Sequence, residues 1–298
     1  MTTSGPSDLA VFRRALRVAS SQLARDLPWI GSRDPWGILV SEVMLQQTQA
    51  VRVVEPWRRF MAALPTAQSC AASSRSTVLE LWRGLGYNRR ATNLHDASRA
   101  IVRDHGGRIP SHPATLRTLP GVGSYTANAV ASFAFGAPVG VLDTNVGRVL
   151  ARAIENRRLT HGEAQRLADA LVPRRASAAH NQAMLDLGSQ YCVGTPRCVS
   201  CPLAHHCRWR CDGGIDPAPR SAAVSIRQSP FEGSDRQLRG RMVDVLREGP
   251  RRLDELREVL TADRERFTRL LGALVRDGLV EATPATVQLA GDTRSPIG

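Results

Sequence analysis

Residues 119–149, LPGVGSYTANAVASFAFGAPVGVLDTNVGRV, leave the chain few backbone paths. Two helix-forming runs are punctuated by a Gly-rich hairpin and by an Asp-led turn. Gly121 and Gly123 flank Val122, between apolar Leu119 and the run that starts at Ala127. A PGVG segment between two helical patterns suits a tight turn whose backbone comes close to something. The helix after it opens with N–H groups that have no intrahelical acceptor, and these attract an anion, most simply a phosphate. Farther on, the apolar run VGVL ends in Asp143. Thr144, Asn145 and a helical pattern (Val146, Val149, Leu150) follow, which puts Asp143 at a helix N-cap. Alone, a PGxG turn is ordinary punctuation, and an Asp before a helix is far more often a cap than a catalyst. On consecutive elements, a phosphate-gripping hairpin and a fixed carboxylate point to chemistry on a nucleic acid.

At 298 residues the chain has room for two compact units. Its net charge of +13 implies a polyanionic partner, nucleic acid first and an anionic membrane second. No run reaches the length of a membrane span, and MTTSGPSD lacks the features of a signal peptide, so the cytoplasm is the expected compartment. Six cysteines there point to metal or redox chemistry rather than disulfides. All 40 basic residues are Arg, with no Lys. Guanidinium suits planar, bidentate phosphate recognition, but it stays protonated and cannot form a Schiff base. Mechanisms that need a side-chain amine nucleophile are thereby excluded, leaving only the N-terminal amine.

Leu9, Phe12, Leu16, Ala19 and Leu23 form one helical stripe. Asp34-Pro35 then opens a helix WGILVSEVMLQQTQ. Within it Glu42 lies among Ile38, Leu39, Val40, Val43, Met44 and Leu45. A desolvated carboxyl holds its proton toward neutral pH, as a general acid must; the plain alternative is a Glu that finds solvent beside Ser41 and Gln46. Helical patterns at 54–64 and 77–82 are broken by Pro56 and Pro65. GLGYNRR (84–90) is a second Gly-bounded turn, with Tyr87 beside Arg89 and Arg90. An aromatic so placed acts as a wedge in a base stack, or simply packs. Helices follow over 91–105, 146–154, 162–171 and 181–190, the third opened by a Thr160/Glu163 capping box.

Cys192, Cys198, Cys201 and Cys207 then fall within sixteen residues as C-x5-C-x2-C-x5-C. One close pair with two outlying thiols suits an iron–sulfur cubane modestly better than zinc. His205 and His206 are spare ligands in principle, and Cys70 reads as a core thiol. Residues 212–234 are Gly-, Pro- and Ser-rich, a linker by composition. Beyond it, three helical patterns and a hairpin (LVEAT, VQLA) have the order of a winged-helix module, a DNA or protein binder. Everything before the linker is helical, so an all-α catalytic part is expected.

SEVMLQQTQ, GLGY, LPGVGSYT, LDTNV, NQAMLDLG and the Cys cluster, in this order, resemble the adenine DNA glycosylases of the MutY family. That family lies within the helix–hairpin–helix superfamily that includes endonuclease III. The resemblance covers roughly residues 20–211. It implies a mainly α, two-lobed fold: a cluster lobe from 1–29 and 138–211, and a six-helix barrel over 30–137 that carries the hairpin. The linker 212–234 and a winged-helix-like block at 235–291 would complete the chain. The implied partner is double-stranded DNA with adenine opposite 8-oxoguanine or guanine, acted on by a monomer at the nucleoid. By resemblance Glu42 protonates the leaving adenine and Asp143 stabilises the cationic sugar. Asn145 would steady that carboxylate. Tyr125 stands where the endonuclease III branch has its nucleophilic Lys. Gln47 and Tyr87 match residues inserted at the mispair. Trp29, Gln182 and Asp186 resemble the adenine pocket, and Gly121, Val122 and Gly123 the backbone grip. The four cysteines resemble [4Fe–4S] ligands. Three departures stand out: the first Cys interval is five residues where the family usually has six, Asn88 follows GLGY where a second Tyr is frequent, and the C-terminal block does not resemble the Nudix-like domain with which many members read 8-oxoguanine.

The chemistry is coherent on its own terms. Breaking an N-glycosidic bond makes an oxocarbenium-like sugar and a poor leaving group, and two carboxyls in opposed environments serve both. Glu42, kept neutral, gives a proton; Asp143, kept anionic by amide donors, faces the cation; the base must first leave the stack. Without lysine, the expectation is a monofunctional enzyme that leaves an abasic site. Two rivals are a thymine–guanine mismatch glycosylase of the same superfamily and a non-enzymatic DNA-binding regulator with a redox-sensing cluster.

Overall fold

The computed structural model describes residues 5–224, 230–261 and 263–294, and these form two compact units. Residues 225–229, inside the stretch read as a linker, lie outside the described residues. In chain order the helices are α1 (Pro6–Leu23), α2 (Pro35–Leu45), α3 (Ala50–Ala63), α4 (Ala67–Ala72), α5 (Arg75–Leu81), α6 (Arg89–His105), α7 (Pro113–Leu116), α8 (Ser124–Phe135) and α9 (Thr144–Val149). A π-helical segment (Leu150–Glu155) follows, then α10 (His161–Leu171), α11 (Ser177–Gln190), α12 (Arg208–Asp212), α13 (Asp235–Glu248), α14 (Leu253–Leu260) and α15 (Arg264–Arg276). The chain is mainly helical, as the patterning predicts, and no described helix is long and apolar enough to cross a membrane.

The first unit holds residues 5–38, 111–114 and 123–224. Phe12, Leu16, Ala19 and Leu23, spaced four, three and four apart, bury one face of α1. The same core takes Val141 and Leu142, which lead into Asp143, together with Val146 and Val149 of α9 and Met184 and Leu187 of α11. α8 stops at Gly136 (φ 71°), where the Gly136 and Ala137 N–H groups return to the Ser132 and Ala131 carbonyls. That left-handed end is the ordinary Gly solution to unpaired C-terminal carbonyls.

The second unit holds 39–110, 115–122 and the described residues from 230 onward. The C-terminal block falls within this second unit. α3 differs from expectation, because it runs unbroken through Pro56. Proline removes one helical hydrogen bond, to the Arg52 carbonyl; Arg52 is exposed, and Val53 and Phe60, both buried, hold the helix on either side.

The C-terminal block has the three helices α13–α15 and a small antiparallel sheet of β1 (Arg251–Arg252), β2 (Val280–Ala282) and β3 (Thr286–Leu289), in the order β1-β3-β2. Val287 and Leu289 of β3 point inward with Val280 of β2, the period-two pattern read in the sequence. The block joins the rest of the unit through a buried cation. Arg247 on α13 is 5% exposed and donates twice to the Leu79 carbonyl (3.0 and 3.3 Å) and once to Asn88 Oδ1 (3.4 Å). Asp244 pairs with it one turn earlier on α13. Replacing Arg247 with Met leaves a buried carbonyl without its donors. It is expected to lower stability by about 2–4 kcal/mol, read as a shift in the urea unfolding midpoint; an unchanged midpoint would contradict this account of the join.

Candidate active site and cysteine cluster

The hairpin forms as its glycines predict. The Val122 N–H closes a turn on the Leu119 carbonyl (3.1 Å), and Gly121 takes φ +73°. A Cβ at Gly121 would also come within 2.6 Å of Asn93 Cβ, so glycine is required there twice over. Gly123 differs: its backbone is extended, and a Cβ there would meet nothing within 4 Å. As N-cap of α8 it brings no side-chain acceptor, and it and Ser124 are exposed. Tyr125, one residue into α8, is half-buried against the first unit's core.

Asp143 caps α9 as predicted. The Val146 N–H donates to Asp143 Oδ1 (2.7 Å) and Asn145 Nδ2 to Oδ2 (2.6 Å). Asn145 is held in turn: Arg148 Nη2 donates to its Oδ1 (2.6 Å) and to the Gly188 carbonyl (3.0 Å), and Arg148 Nε to the Cys192 carbonyl (2.6 Å). Gly188 permits this approach, since a Cβ there would lie 2.6 Å from the Asn145 carbonyl oxygen. Burial pushes the Asp143 carboxyl above the usual carboxylate range, while the Val146 and Asn145 donors and the Arg148 charge pull it back without fully offsetting that push.

Of the other residues singled out in this unit, Trp29 is buried and Gln182 half-buried. Asp186 is 1% exposed and accepts from Arg25 Nε (2.5 Å) and Gln182 Nε2 (2.9 Å). Burial raises its carboxyl as well, against both donors.

In the second unit Glu42 is 4% exposed, flanked along α2 by buried Leu39, Val40, Val43 and Met44. A solvent-facing glutamate is therefore not what the chain makes. α2 ends at Leu45, and Gln47, exposed on the turn beyond, takes φ 56°. Tyr87, on the other turn, takes φ 46° and is 38% exposed. A left-handed backbone at a non-glycine residue costs on the order of 1–3 kcal/mol and persists only where its surroundings impose it.

Arg90 lies between the two turns and bonds to both. This guanidinium is 7% exposed and donates to the carbonyls of Val43 (3.1 Å), Met44 (2.7 Å) and Gln46 (2.5 Å) on one side. On the other it donates to the carbonyls of Leu85 (3.2 Å) and Gly86 (3.1 Å), while Thr48 Oγ1 (3.1 Å) takes a further bond. It also stacks on Trp82 and Tyr87, 5.4 and 5.5 Å from their ring centres. Burial drops its pKa to about 10, still far above neutrality.

Cys192, Cys198, Cys201 and Cys207 line one cavity in the first unit, with Leu203 and Trp209 among its walls. Among the described residues no three His, Cys, Asp or Glu side chains converge closely enough to hold a single ion. A zinc site needs its four sulfurs about 2.3 Å from one point, whereas a cubane gives each thiolate its own iron. Four thiols lining one cavity match the donor set of a cubane, which takes one thiolate per iron. Buried Arg152, on the π-helical segment, donates to Cys192 Sγ (3.5 Å) and to the Val193 (2.7 Å) and Gly194 (3.0 Å) carbonyls, and pairs with Asp216 (2.6 Å). As free thiols, Cys192, Cys201 and Cys207 are all pushed up by burial, Cys207 to about 11.

The family model for the HhH-GPD superfamily of base excision DNA repair proteins matches residues 40–174. The chain is 43% identical over 274 residues to the adenine DNA glycosylase of Mycobacterium tuberculosis, covering 87% of this chain and 86% of that one. The chain belongs to the HhH-GPD superfamily. The human adenine DNA glycosylase is 39% identical over 219 residues, which span 68% of this chain and 40% of the relative. Among solved structures, a thermostable thymine-DNA glycosylase superposes with a TM-score of 0.64 at 27% identity, covering 69% of this chain and 98% of its own. A trapped endonuclease III–DNA covalent intermediate gives 0.58 at 25%, covering 71% and 99%. The expected fold class and the reading as a DNA N-glycosylase stand.

Sequence reasoning missed the arginines that organise this HhH-GPD chain. Arg90 had a signal, because it shares a helical face with Leu94, Ala97 and Ile101, all buried. Arg148 and Arg152 follow Asp143 at helical spacing but point to loop carbonyls more than 40 positions away, which no local pattern reports.

A pH profile tests the Asp143 environment. If the ionised carboxyl faces the developing cation, base release falls as pH drops through its pKa. The burial shift places that limb above the ~3.9 of a free aspartate. Asn145→Ala deletes a donor to the anion, so the limb should move to higher pH in single-turnover profiles. A limb that stays put or moves down would contradict the assignment.

Proposed function

We propose that this glycosylase of base excision repair removes adenine paired with 8-oxoguanine or guanine, by hydrolysis, as a monomer acting on double-stranded DNA in the cytoplasm at the nucleoid. The observation that carries the reading is the burial of Glu42 in an apolar helix within SEVML. An acid in such surroundings retains a proton for the leaving base. Asp143, in its ring of donors with Asn145, faces the positive sugar. Tyr125 lies alongside the reacting sugar, where the endonuclease III branch has its lysine. Trp29, Gln182 and Asp186 frame the adenine. Gly121, Val122 and Gly123 grip the backbone, and Gln47 and Tyr87 enter the stack at the mispair. Strained exposed turns at both of the last two support that assignment, since pre-set geometry avoids ordering on binding.

The four cysteines would hold a [4Fe–4S] cluster through their thiolates. When bound, such a cluster supplies a fixed, compact cross-link for the loop over 192–207. Around it, Arg152 gathers the loop carbonyls, and Arg148 ties Cys192 to Asn145 and so to the carboxylate. Purified protein should carry iron and acid-labile sulfide in equal amounts without zinc, by elemental analysis; stoichiometric zinc would refute the cluster.

The likeness to a thymine-DNA glycosylase keeps thymine opposite guanine as the second substrate to try. Similarity to adenine enzymes over nearly the whole chain favours adenine. In single-turnover assays on A:8-oxoguanine, A:G and T:G duplexes, adenine release is expected from the first two. Glu42→Gln should abolish it, by at least about a hundredfold, with duplex affinity retained. Because the chain has no lysine, strands should stay intact until the abasic product is treated with base. Strand scission in step with base release, or T:G turnover alone, would overturn the proposal.

A further inference from the structure

The C-terminal block, read in the sequence as a separate winged-helix module, reaches the wedge turn itself. A cleft of about 330 Å³ in the second unit is lined by Gln47, Tyr87 and Asn93 from the glycosylase part and by Arg236, Arg239 and Leu279 from the C-terminal block. Not every arginine there has the same task. Arg239 and Arg89 both pair with Asp277 (2.5 and 3.5 Å), and Arg247 is committed to Leu79 and Asn88. Arg236 differs, since its Nη1 donates to the Tyr87 hydroxyl (2.8 Å). The Tyr87 ring is thereby held twice, by Arg90 against its face and by Arg236 at its tip.

We propose that Arg236 is a positioning residue for Tyr87, through which the C-terminal block takes part in mispair discrimination. The inference rests on the reading of Tyr87 as a side chain inserted into the duplex. A tyrosine on an exposed turn samples several rotamers, and ordering it on binding opposes affinity. A charge-assisted bond to its hydroxyl, from a helix fixed by the buried Arg247, removes that ordering step beforehand. The chemistry at the sugar is left alone, so Arg236 acts on recognition and not on bond cleavage.

The test uses full-length protein, with thermal melting to confirm folding, and three readouts: affinities for A:8-oxoguanine and fully matched duplexes, the base-release rate at saturation, and fluorescence of 2-aminopurine beside the mispair as a measure of unstacking. Arg236→Ala and Tyr87→Phe should each reduce the mispair-over-match affinity ratio by about tenfold and weaken the fluorescence signal. The double variant should lose no more than the worse single, because both remove one bond. Arg236→Ala should keep the saturating rate, and Arg236→Lys, which retains charge and a donor, should recover part of the ratio. Losses that multiply in the double variant would overturn the proposal. So would equal weakening on both duplexes with a shallower salt dependence, the mark of a phosphate contact, or tighter mispair binding by Arg236→Ala. Tyr87→Ala separates the two layers. If it retains full discrimination, the wedge reading fails; if it loses discrimination while Arg236→Ala does not, only the role of Arg236 fails.

Discussion

One guanidinium does more to shape the second unit than any apolar contact in it. Arg90 sits where two turns meet and satisfies five carbonyls and a hydroxyl with one rigid, planar group. Each of those turns carries a residue in the left-handed region, Gln47 on one and Tyr87 on the other. Neither backbone would hold that conformation by its own preference. A lysine could not replace Arg90, since one ammonium on a flexible stem cannot reach the two sets of acceptors that Nη1 and Nη2 serve separately. The geometry of the turns and the choice of arginine are therefore one fact.

Buried arginine changes what the charge of the chain means. A basic excess made entirely of arginine suggests a surface for phosphates, and part of it is that. Yet Arg90, Arg152 and Arg247 are 7%, 1% and 5% exposed and serve as interior clamps on backbone carbonyls. Each closes a place where chain segments far apart in sequence come together: two turns for Arg90, the cysteine loop and Asp216 for Arg152, the C-terminal helix and the end of α5 for Arg247. These three guanidinium groups are spent on the interior rather than on phosphates, and the stability of the fold leans on the carbonyls they satisfy.

What could be read from the sequence was whatever local rules govern. The hairpin at Gly121, the Asp34 and Asp143 caps, the Thr160 capping box and the face of α1 all follow from neighbours within four residues. The apolar setting of Glu42 was visible too, and only its competing solvent-facing reading needed coordinates to dismiss. What is not legible is non-local. The contact of the C-terminal block with α5 is made by Arg247, 168 positions from Leu79, which no local pattern reports. The direction of the Asp143 shift is not legible from a cap motif either, because it depends on how much solvent the rest of the unit removes, and burial raises this carboxyl more than its donors lower it.

The union of the C-terminal block with residues 39–110 alters how damage to the tail would show itself. A free module fails privately, leaving its neighbour intact. Here a lesion in α13 would be passed on to the end of α5, through Arg247, and to the turn that bears Tyr87, through Arg236. Removing the tail would therefore strip the neighbouring helix and turn of their polar partners, and not merely shorten the chain.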